Sequence, residues 1–254
     1  MIKKENNSAR KEEIKRQIEQ VDCDDKNRLS EVKKLFTEVG ASADEINVEN
    51  FEDVQNVVVT VKGKSGETVV VGGHYDKTTL GCGVIDNWSG VVLTANLYKQ
   101  CKTQNNQKTY KFVAFGKEEK GLIGSKAMVK AIPENQTNKF CAMVNFDSFG
   151  FTDLWALGNA SDKKLIELAK KVAEKRKVRF EEITYFGASS DSRSFQKAGI
   201  PSITLSGLDE NWRKYLHQDS DQIKNINFDK IYENFQFSID FIKEIDEQSC
   251  GSFR

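Results

Sequence analysis

The chain has 254 residues, of which 38% are hydrophobic and 30% are charged, and its 38 Lys and Arg residues balance its 38 Asp and Glu residues. This length and composition are typical of one soluble globular domain with a sizeable core. The formal net charge of zero gives no electrostatic reason to expect nucleic acid or an anionic membrane as a partner.

The N-terminal part is rich in charge and predicts two helices within residues 9–40. The second helix carries an apolar stripe at helical spacing, formed by Leu29, Val32, Leu35 and Phe36. The start, MIKKENNSARKEEIKRQ, has basic residues but no apolar stretch after them, so no signal peptide is predicted. No apolar run approaches the roughly 20 residues that cross a bilayer. We therefore expect a cytoplasmic protein, or a secreted one if a leader has been removed.

A pair of strands is predicted after the N-terminal part. Val57, Val59 and Val61 alternate with less apolar residues, as in a half-buried strand. A turn over residues 63–66 then leads into the apolar run at residues 69–71. This pattern predicts a hairpin that feeds a buried strand.

Strands and helices alternate along the rest of the chain. The predicted strands are Tyr110–Phe115, Phe140–Phe146, Leu154–Leu157 and Ser202–Leu205. The predicted helices cover about residues 88–102, 121–130, 161–177 and 228–245, the last two with Ser161 and Asn227 as N-caps. This alternation indicates a three-layer α/β/α sandwich around a mostly parallel or mixed twisted sheet. Because no linker-like stretch interrupts it, we predict one domain over residues 1–254.

The cysteines are scattered and form no C-x-x-C pair; they are Cys23, Cys82, Cys101, Cys141 and Cys250. This odd number and wide spacing argue against a disulfide scaffold and against a thiolate zinc site. Cys101 and Cys141 lie in apolar segments, so we expect both to be buried without a chemical role.

Three consecutive buried strands each lead into ionisable residues. The strand at residues 69–71 runs through two glycines into His74. The next strand is followed by Glu118 and Glu119, and the third leads directly to Asp147. Ligands bind beyond the carboxyl ends of the strands in such sheets, and carboxylates that converge there repel one another unless a cation pairs with them. The sequence therefore predicts a metal site at this edge.

The chain has only two histidines, His74 and His217. Asp76 follows His74 at the second position, and in an H-x-D pair the carboxylate can accept a hydrogen bond from the ring nitrogen that faces away from a metal. This pattern favours His74 as a ligand, whereas His217 taken alone indicates little.

Short motifs follow one another between about residues 70 and 221. They are His74-Tyr75-Asp76, Ile85-Asp86-Asn87-Trp88-Ser89-Gly90, Phe115-Gly116-Lys117-Glu118-Glu119-Lys120-Gly121-Leu122-Ile123-Gly124-Ser125, Asn145-Phe146-Asp147, Ser190-Asp191, Ala198-Gly199-Ile200-Pro201, and His217 followed by Asp221. In this order they resemble metallopeptidase family 28, the co-catalytic two-zinc aminopeptidases of the zinc-dependent exopeptidase superfamily. Each motif alone is weak, whereas the ordered set is highly specific. Residues 1–50, a charged helical part, carry no portion of the match.

The resemblance implies a metal ligand set. It pairs His74 with Asp147 on one ion and Glu119 with His217 on the other, and it places Asp86 between the two ions. The implied cofactors are two Zn²⁺ ions, with Co²⁺ or Mn²⁺ as substitutes. Charge agrees with this number, because three carboxylate ligands and a bridging hydroxide together balance two divalent cations.

The resemblance also implies the reaction of a zinc-dependent aminopeptidase, which hydrolyses the N-terminal peptide bond. A hydroxide that bridges the metals would attack the scissile carbonyl, and Glu118 would act as the general base. Asp76 would orient His74, and a cis peptide bond is expected after Asp86. We expect a peptide or aminoacyl-amide substrate and a monomeric enzyme that binds neither nucleic acid nor membranes.

Two positions depart from the family pattern near the expected substrate site. Members often have Tyr directly before the last histidine, whereas this chain has Leu216 there and Tyr215 one position earlier. Where Ser-Asp-His is common, Asp191 is followed by Ser192. We predict Asp191 and Tyr215 as substrate-binding residues, and the preferred N-terminal residue stays open.

Two other functions share this scaffold. A glutaminyl cyclase-like enzyme would use a single zinc and cyclise its substrate, whereas the complete ligand set and the H-x-D pair favour two metals. A non-catalytic binding domain would be expected to lack ligands, and this sequence lacks none of the five.

Overall fold

The computed structural model describes residues 7–254, and in this part of the chain a central sheet is covered by helices on both faces. The helices are α1 (Asn7–Glu19), α2 (Arg28–Glu38), α3 (Ser89–Lys102), α4 (Ile123–Lys130), α5 (Lys163–Arg176), α6 (Ser192–Lys197) and α7 (Phe228–Glu247). The strands are β1 (Ile46–Asn50), β2 (Gln55–Val61), β3 (Thr68–His74), β4 (Thr109–Phe115), β5 (Phe140–Phe149), β6 (Trp155–Leu157), β7 (Glu181–Ile183) and β8 (Ser202–Gly207).

The eight strands form one mixed sheet in the order β1-β2-β4-β3-β5-β8-β6-β7. The central strands β4, β3, β5 and β8 run parallel, while β2 and β6 pair antiparallel with β4 and β8 on either side. The predicted three-layer α/β/α fold with a mixed sheet is therefore confirmed. The predicted single domain covers residues 1–254, of which residues 1–6 lie outside the described part.

The predicted hairpin between the strands now called β2 and β3 is wrong, because β4 lies between them. β2 pairs with β1 and β4, whereas β3 pairs with β4 and β5. The physical reason is burial: β3 is covered on both faces and takes a central position with parallel neighbours. The turn residues at 63–66 indicate a chain reversal but not which strand lies beside which.

Two apolar layers cover the two faces of the sheet, as the alternation of strand side chains requires. Val57, Val59 and Val71 belong to the larger layer under α1, α2, α3, α5 and α7, whereas Val58 and Val70 belong to the smaller layer under α4 and α6. In the N-terminal part, the predicted stripe on α2 faces the larger layer, with Val32, Leu35 and Phe36 buried.

The N-cap predictions have different outcomes. The Asn227 side chain caps α7 by accepting the amides of Asp229 and Lys230. Ser161 does not cap α5, because its hydroxyl accepts the amide of Thr204 and Asp162 occupies the N-cap position. No helix among residues 7–254 is both long and apolar enough to span a membrane.

Two disulfides, Cys23–Cys82 and Cys141–Cys250, correct the expectation drawn from cysteine spacing. Cys141 is buried, as predicted, but it is bonded to Cys250. Cys101 is buried and free. The pairs are 59 and 109 residues apart in sequence, so only the tertiary fold brings the thiols together.

Candidate metal centre

The three parallel strands β4, β3 and β5 deliver ionisable side chains to one edge of the sheet. His74 is the last residue of β3, which lies between the other two strands. Glu118 and Glu119 follow β4, and Asp147 lies near the end of β5. This convergence was predicted from the strand ends and is observed in the structure. The roles of these residues as ligands stay predictions.

Asp86 lies between two histidines that belong to different segments. Its Oδ1 is 3.1 Å from His74 Nε2, and its Oδ2 is 3.2 Å from His217 Nε2. His74 Nε2 is also 3.8 Å from Asp147 Oδ1, and His217 Nε2 is 3.1 Å from Glu119 Oε2. Two groups of three potential ligands thus share the carboxylate of Asp86.

The loop that carries Asp86 is held by a carboxylate from the other side of the site. Asp221 accepts the amides of Val84 and Ile85 on Oδ1 at 2.9 and 2.8 Å, and the amide of Asp86 on Oδ2 at 3.1 Å. The bond after Asp86 is a cis peptide, as the resemblance implied. Because Asp221 lies four residues after His217, one segment both positions the shared carboxylate and supplies a ligand candidate.

Asp76 contacts the backbone of Glu118 and Glu119 as well as His74, the one contact that the sequence predicted. His74 Nδ1 is 3.1 Å from the backbone carbonyl of Asp76 and 3.6 Å from its carboxylate. The two carboxylate oxygens accept the amides of Glu118 and Glu119 at 2.9 and 3.2 Å. The nearer partner of the His74 ring is therefore the backbone carbonyl of Asp76, not the carboxylate that the sequence predicted, because the carboxylate instead binds the backbone of the two glutamates. The orienting role of Asp76 stays a prediction.

The acidic residues around the two histidines raise the pKa of both rings. Burial disfavours a charged His74, but Glu118, Asp147, Asp76 and Asp86 around it outweigh burial and raise the pKa of His74 well above its usual value. The carboxylates of Asp86 and Glu119 raise the pKa of His217 to about 10. Protons on these two rings thus balance part of the negative charge that a cation would otherwise neutralise.

The carboxylates of the site have shifted pKa values, and one of their oxygens is buried without a partner. Burial and the nearby acidic residues raise the pKa of Glu118 well above its usual value, and burial also raises that of Glu119. For Asp86, hydrogen bonds from the two histidines outweigh burial and lower the pKa. Glu119 Oε1 is buried and has no hydrogen-bond partner among the described residues. An unpartnered carboxylate oxygen among nitrogen and oxygen donors fits a bound zinc ion.

An apolar cavity of about 100 Å³ opens beside Asp147. Its aromatic walls contact one another: Tyr185 packs edge-on against Trp155 at 5.7 Å and tilted against Trp212 at 5.3 Å between ring centroids. Four aliphatic residues complete the apolar lining, namely Leu157, Ala188, Leu208 and Leu216. The sequence did not reveal this pocket, because its residues come from separate segments that share no spacing pattern.

The two residues predicted to bind substrate lie away from the cavity. Tyr215 packs against Phe151 at 4.5 Å between ring centroids and does not line the cavity, whereas its neighbour Leu216 does. Asp191 has no exposed surface, so a direct contact with substrate would require a rearrangement. The substrate-binding role of both stays a prediction that this placement does not favour.

Comparisons with known proteins agree on one family. The model for "Peptidase family M28" matches residues 56–242. A probable leucine aminopeptidase from Arthroderma otae is 26% identical over 239 residues, which cover 85% of this chain and 64% of that protein. Another from Arthroderma benhamiae is 28% identical over 241 residues, which cover 85% and 63%. The chain thus spans less than two thirds of the length of these relatives.

Solved structures share the fold. BSAP, a zinc aminopeptidase from Bacillus subtilis, aligns with a TM-score of 0.69 and 25% identity over 77% of this chain and 50% of that one. A glutaminyl cyclase from an Acidobacteriales bacterium aligns with a TM-score of 0.82 and 15% identity over 96% of both chains. At that identity, the second likeness shows the fold alone.

Proposed function

The chain belongs to peptidase family M28, and from that premise we propose that it is a zinc-dependent aminopeptidase that removes the N-terminal residue of a peptide. One observation carries the proposal: two groups of potential ligands share Asp86 directly beside an apolar cavity. The relatives named leucine aminopeptidases and the zinc aminopeptidase of similar fold support it.

The proposed centre holds two zinc ions. His74 and Asp147 would hold one ion, Glu119 and His217 would hold the other, and Asp86 would contribute its carboxylate to both. In support, Oδ1 of Asp86 faces His74 and Oδ2 faces His217. A single catalytic zinc needs about three protein ligands, so five convergent candidates suit two ions that share a carboxylate.

Bound zinc supplies Lewis acidity and a water molecule of lowered pKa. Glu118 is the general base: its Oε2 lies 4.0 Å from His74 Nε2, and burial raises its pKa toward the range that suits proton transfer. It removes the proton of the attacking water and then donates it to the leaving amine. The negative charge of the neighbouring carboxylates attracts the free ammonium group of the substrate, which favours cleavage at the N-terminus.

The apolar cavity beside Asp147 receives the side chain of the N-terminal residue. Its walls are aromatic and aliphatic, and they leave room for about one side chain of the size of leucine. Burial of such a side chain contributes about 2 kcal/mol. The proposed substrates are therefore peptides that begin with a bulky apolar residue.

The test is a screen of aminoacyl-p-nitroanilides with and without a chelator. We expect hydrolysis of the leucyl substrate, loss of activity with chelator and recovery on addition of zinc. A peptide that begins with glutamine serves as a probe for the cyclase alternative. Pyroglutamate formation without anilide hydrolysis would overturn the aminopeptidase, and binding of zinc without turnover of any substrate would favour the non-catalytic alternative.

A further inference from the structure

A short segment before α2 docks on the loop that leads to Asp86. Cys23 is disulfide-bonded to Cys82, and the Asp25 carboxylate accepts the amide of Lys77 at 3.1 Å. The segment lies outside residues 56–242, the part of the chain that matches the family. Its contacts with the metal-site loop are therefore a feature of this chain that the family match does not describe.

Arg28 follows this segment and places a cation under the same loop. The side chain is completely buried, its Nη2 donates to the carbonyls of Cys82 and Gly83, and the guanidinium lies 5.3 Å from the ring centroid of Trp88. Its Nε and Nη1 have no hydrogen-bond partner among the described residues. A buried charge with unpartnered nitrogens is costly, and the nearby carboxylates of Asp25 and Asp221 offset part of this cost.

The loop depends on contacts from other segments because it contains two glycines, whose backbones can adopt many conformations. Gly81 and Gly83 flank Cys82 with φ values of +66° and +64°. Glycine adopts this left-handed region without steric strain, but fixing its backbone in one conformation costs more entropy than for other residues. A Cβ on Gly83 would lie 3.1 Å from Arg28 Nη2 and 2.6 Å from Lys77 Cβ. The guanidinium therefore packs directly on the glycine that begins the turn to Asp86.

The loop that carries Asp86 is thus held by contacts from two separate parts of the chain. The Asp221 carboxylate binds the amides of residues 84–86 from the side of His217. Arg28 binds the carbonyls of residues 82 and 83 from the side of the N-terminal part. Removal of either contact would leave the shared carboxylate on a loop with two left-handed glycines.

We propose that Arg28 is a positioning residue for Asp86, and that the Cys23–Cys82 bridge holds the segment that presents it. The inference rests on the proposed metal centre and deepens it: the N-terminal part sets the affinity of that centre for zinc. Loss of residues that orient metal ligands typically weakens metal binding about 10- to 100-fold.

The first test compares Arg28→Gln with Arg28→Lys in the full chain. Zinc affinity is measured by competition with a chromogenic chelator, and the free energy of unfolding of the metal-free protein is measured in urea. We expect Arg28→Gln to bind zinc about 10- to 100-fold more weakly. Arg28→Lys should recover part of the loss, since an ammonium group can still donate to one of the carbonyls.

Arg176→Gln is the matched control, because Arg176 lies on α5, has a buried unpartnered Nε and bonds Asp240 on α7. It should leave zinc affinity unchanged. An unchanged affinity in Arg28→Gln, or an equal loss in Arg176→Gln, would overturn the proposal.

The second test examines the positioning role without Arg28→Gln, in case that variant fails to fold. It compares Cys23→Ser/Cys82→Ser with Cys141→Ser/Cys250→Ser. Cys141 lies at the opposite end of β5 from Asp147, about 20 Å away at the usual rise per residue. Both pairs should lower the free energy of unfolding, but only the first should weaken zinc binding, by about tenfold or more. Equal zinc affinities in the two variants would overturn the proposal.

These outcomes are separable from failure of the proposed function. If the variants bind zinc as the unsubstituted protein does and the anilide screen succeeds, only the positioning role fails. If zinc affinity falls as expected but no substrate is hydrolysed, the positioning role stands without the aminopeptidase.

Discussion

At the scale of single residues, Asp191 is a carboxylate in surroundings that disfavour its charge. It is completely buried, and neither of its oxygens has a hydrogen-bond partner among the described residues. Burial raises its pKa from 3.8 to about 7, although the charge on His74 opposes this. Because the folded protein holds this proton more tightly than the unfolded chain, Asp191 lowers the free energy of unfolding as the pH rises from about 4 to 7.

We predict that Asp191→Asn stabilises the metal-free protein at pH 8 by about 4 kcal/mol and has little effect at pH 4. The amide cannot ionise, so the cost of a buried charge disappears where Asp191 would be deprotonated. Urea unfolding of chelator-treated protein at the two pH values measures the difference. An equal effect at both would mean that Asp191 does not titrate in this range.

The ligand candidates were easier to predict from the sequence than the positions of the substrate-binding residues, and the reason is physical. His74, Glu119 and Asp147 could be predicted because each follows a buried strand, and parallel strands end at one edge. The directions of Asp191 and Tyr215 depend on turns between distant elements, which no local pattern indicates. Asp86 and His217 depended on the family resemblance, because each lies in a loop.

At the scale of elements, the apolar cavity is built by parts of three strands (β5, β6 and β8), the loops that follow β7 and β8, and a short 3₁₀ turn. Trp212 lies in the turn Trp212–Lys214 and forms one wall together with Tyr185. Phe186 follows Tyr185 on its loop, but its side chain is fully exposed and does not line the cavity. The two aromatic residues therefore form a matched pair for substitution.

We predict that Trp212→Ala lowers kcat/KM for leucyl-p-nitroanilide about tenfold and changes that for the alanyl substrate much less. The larger side chain loses apolar contact with the missing wall, whereas alanine reaches little of it. Phe186→Ala should leave both values unchanged. An equal loss for both substrates in Trp212→Ala would show that the cavity does not receive the side chain.

Pairing of elements was harder to predict than their positions. The strands from β4 to β8 could be predicted apart from β7, whose three residues include no buried side chain. β1 has no fully buried residue and was missed for the same reason. The wrong hairpin between β2 and β3 had a different cause. The turn residues between them carry no information about β4, which follows about 40 residues later in the sequence and lies between them in the sheet.

At the scale of the whole molecule, two disulfides join distant parts of the chain. Cys23–Cys82 ties the N-terminal part to the metal-site loop, and Cys141–Cys250 ties the start of β5 to the C-terminal turn. Disulfides persist mainly in oxidising compartments. Of the two locations expected from the sequence, cytoplasmic or secreted after removal of a leader, we therefore propose the secreted one.

We predict that each bridge contributes about 2–5 kcal/mol to the free energy of unfolding, because each restricts a long loop in the unfolded chain. Urea unfolding with and without reductant measures the sum. Cys101→Ala, at the free buried cysteine, should keep the effect of reductant. Alkylation of five thiols in the untreated protein would contradict the two bridges.

The most direct test of the two-zinc aminopeptidase is metal analysis of Glu118→Gln beside the unsubstituted protein, together with leucyl-p-nitroanilide hydrolysis. Glu118 belongs to the catalytic proposal but not to the proposed ligand set, so we predict two zinc ions per chain in both proteins. The variant should hydrolyse the substrate at least about a hundredfold more slowly, as expected for loss of a general base. One zinc ion per chain at saturating zinc, or unchanged hydrolysis by the variant, would contradict this mechanism.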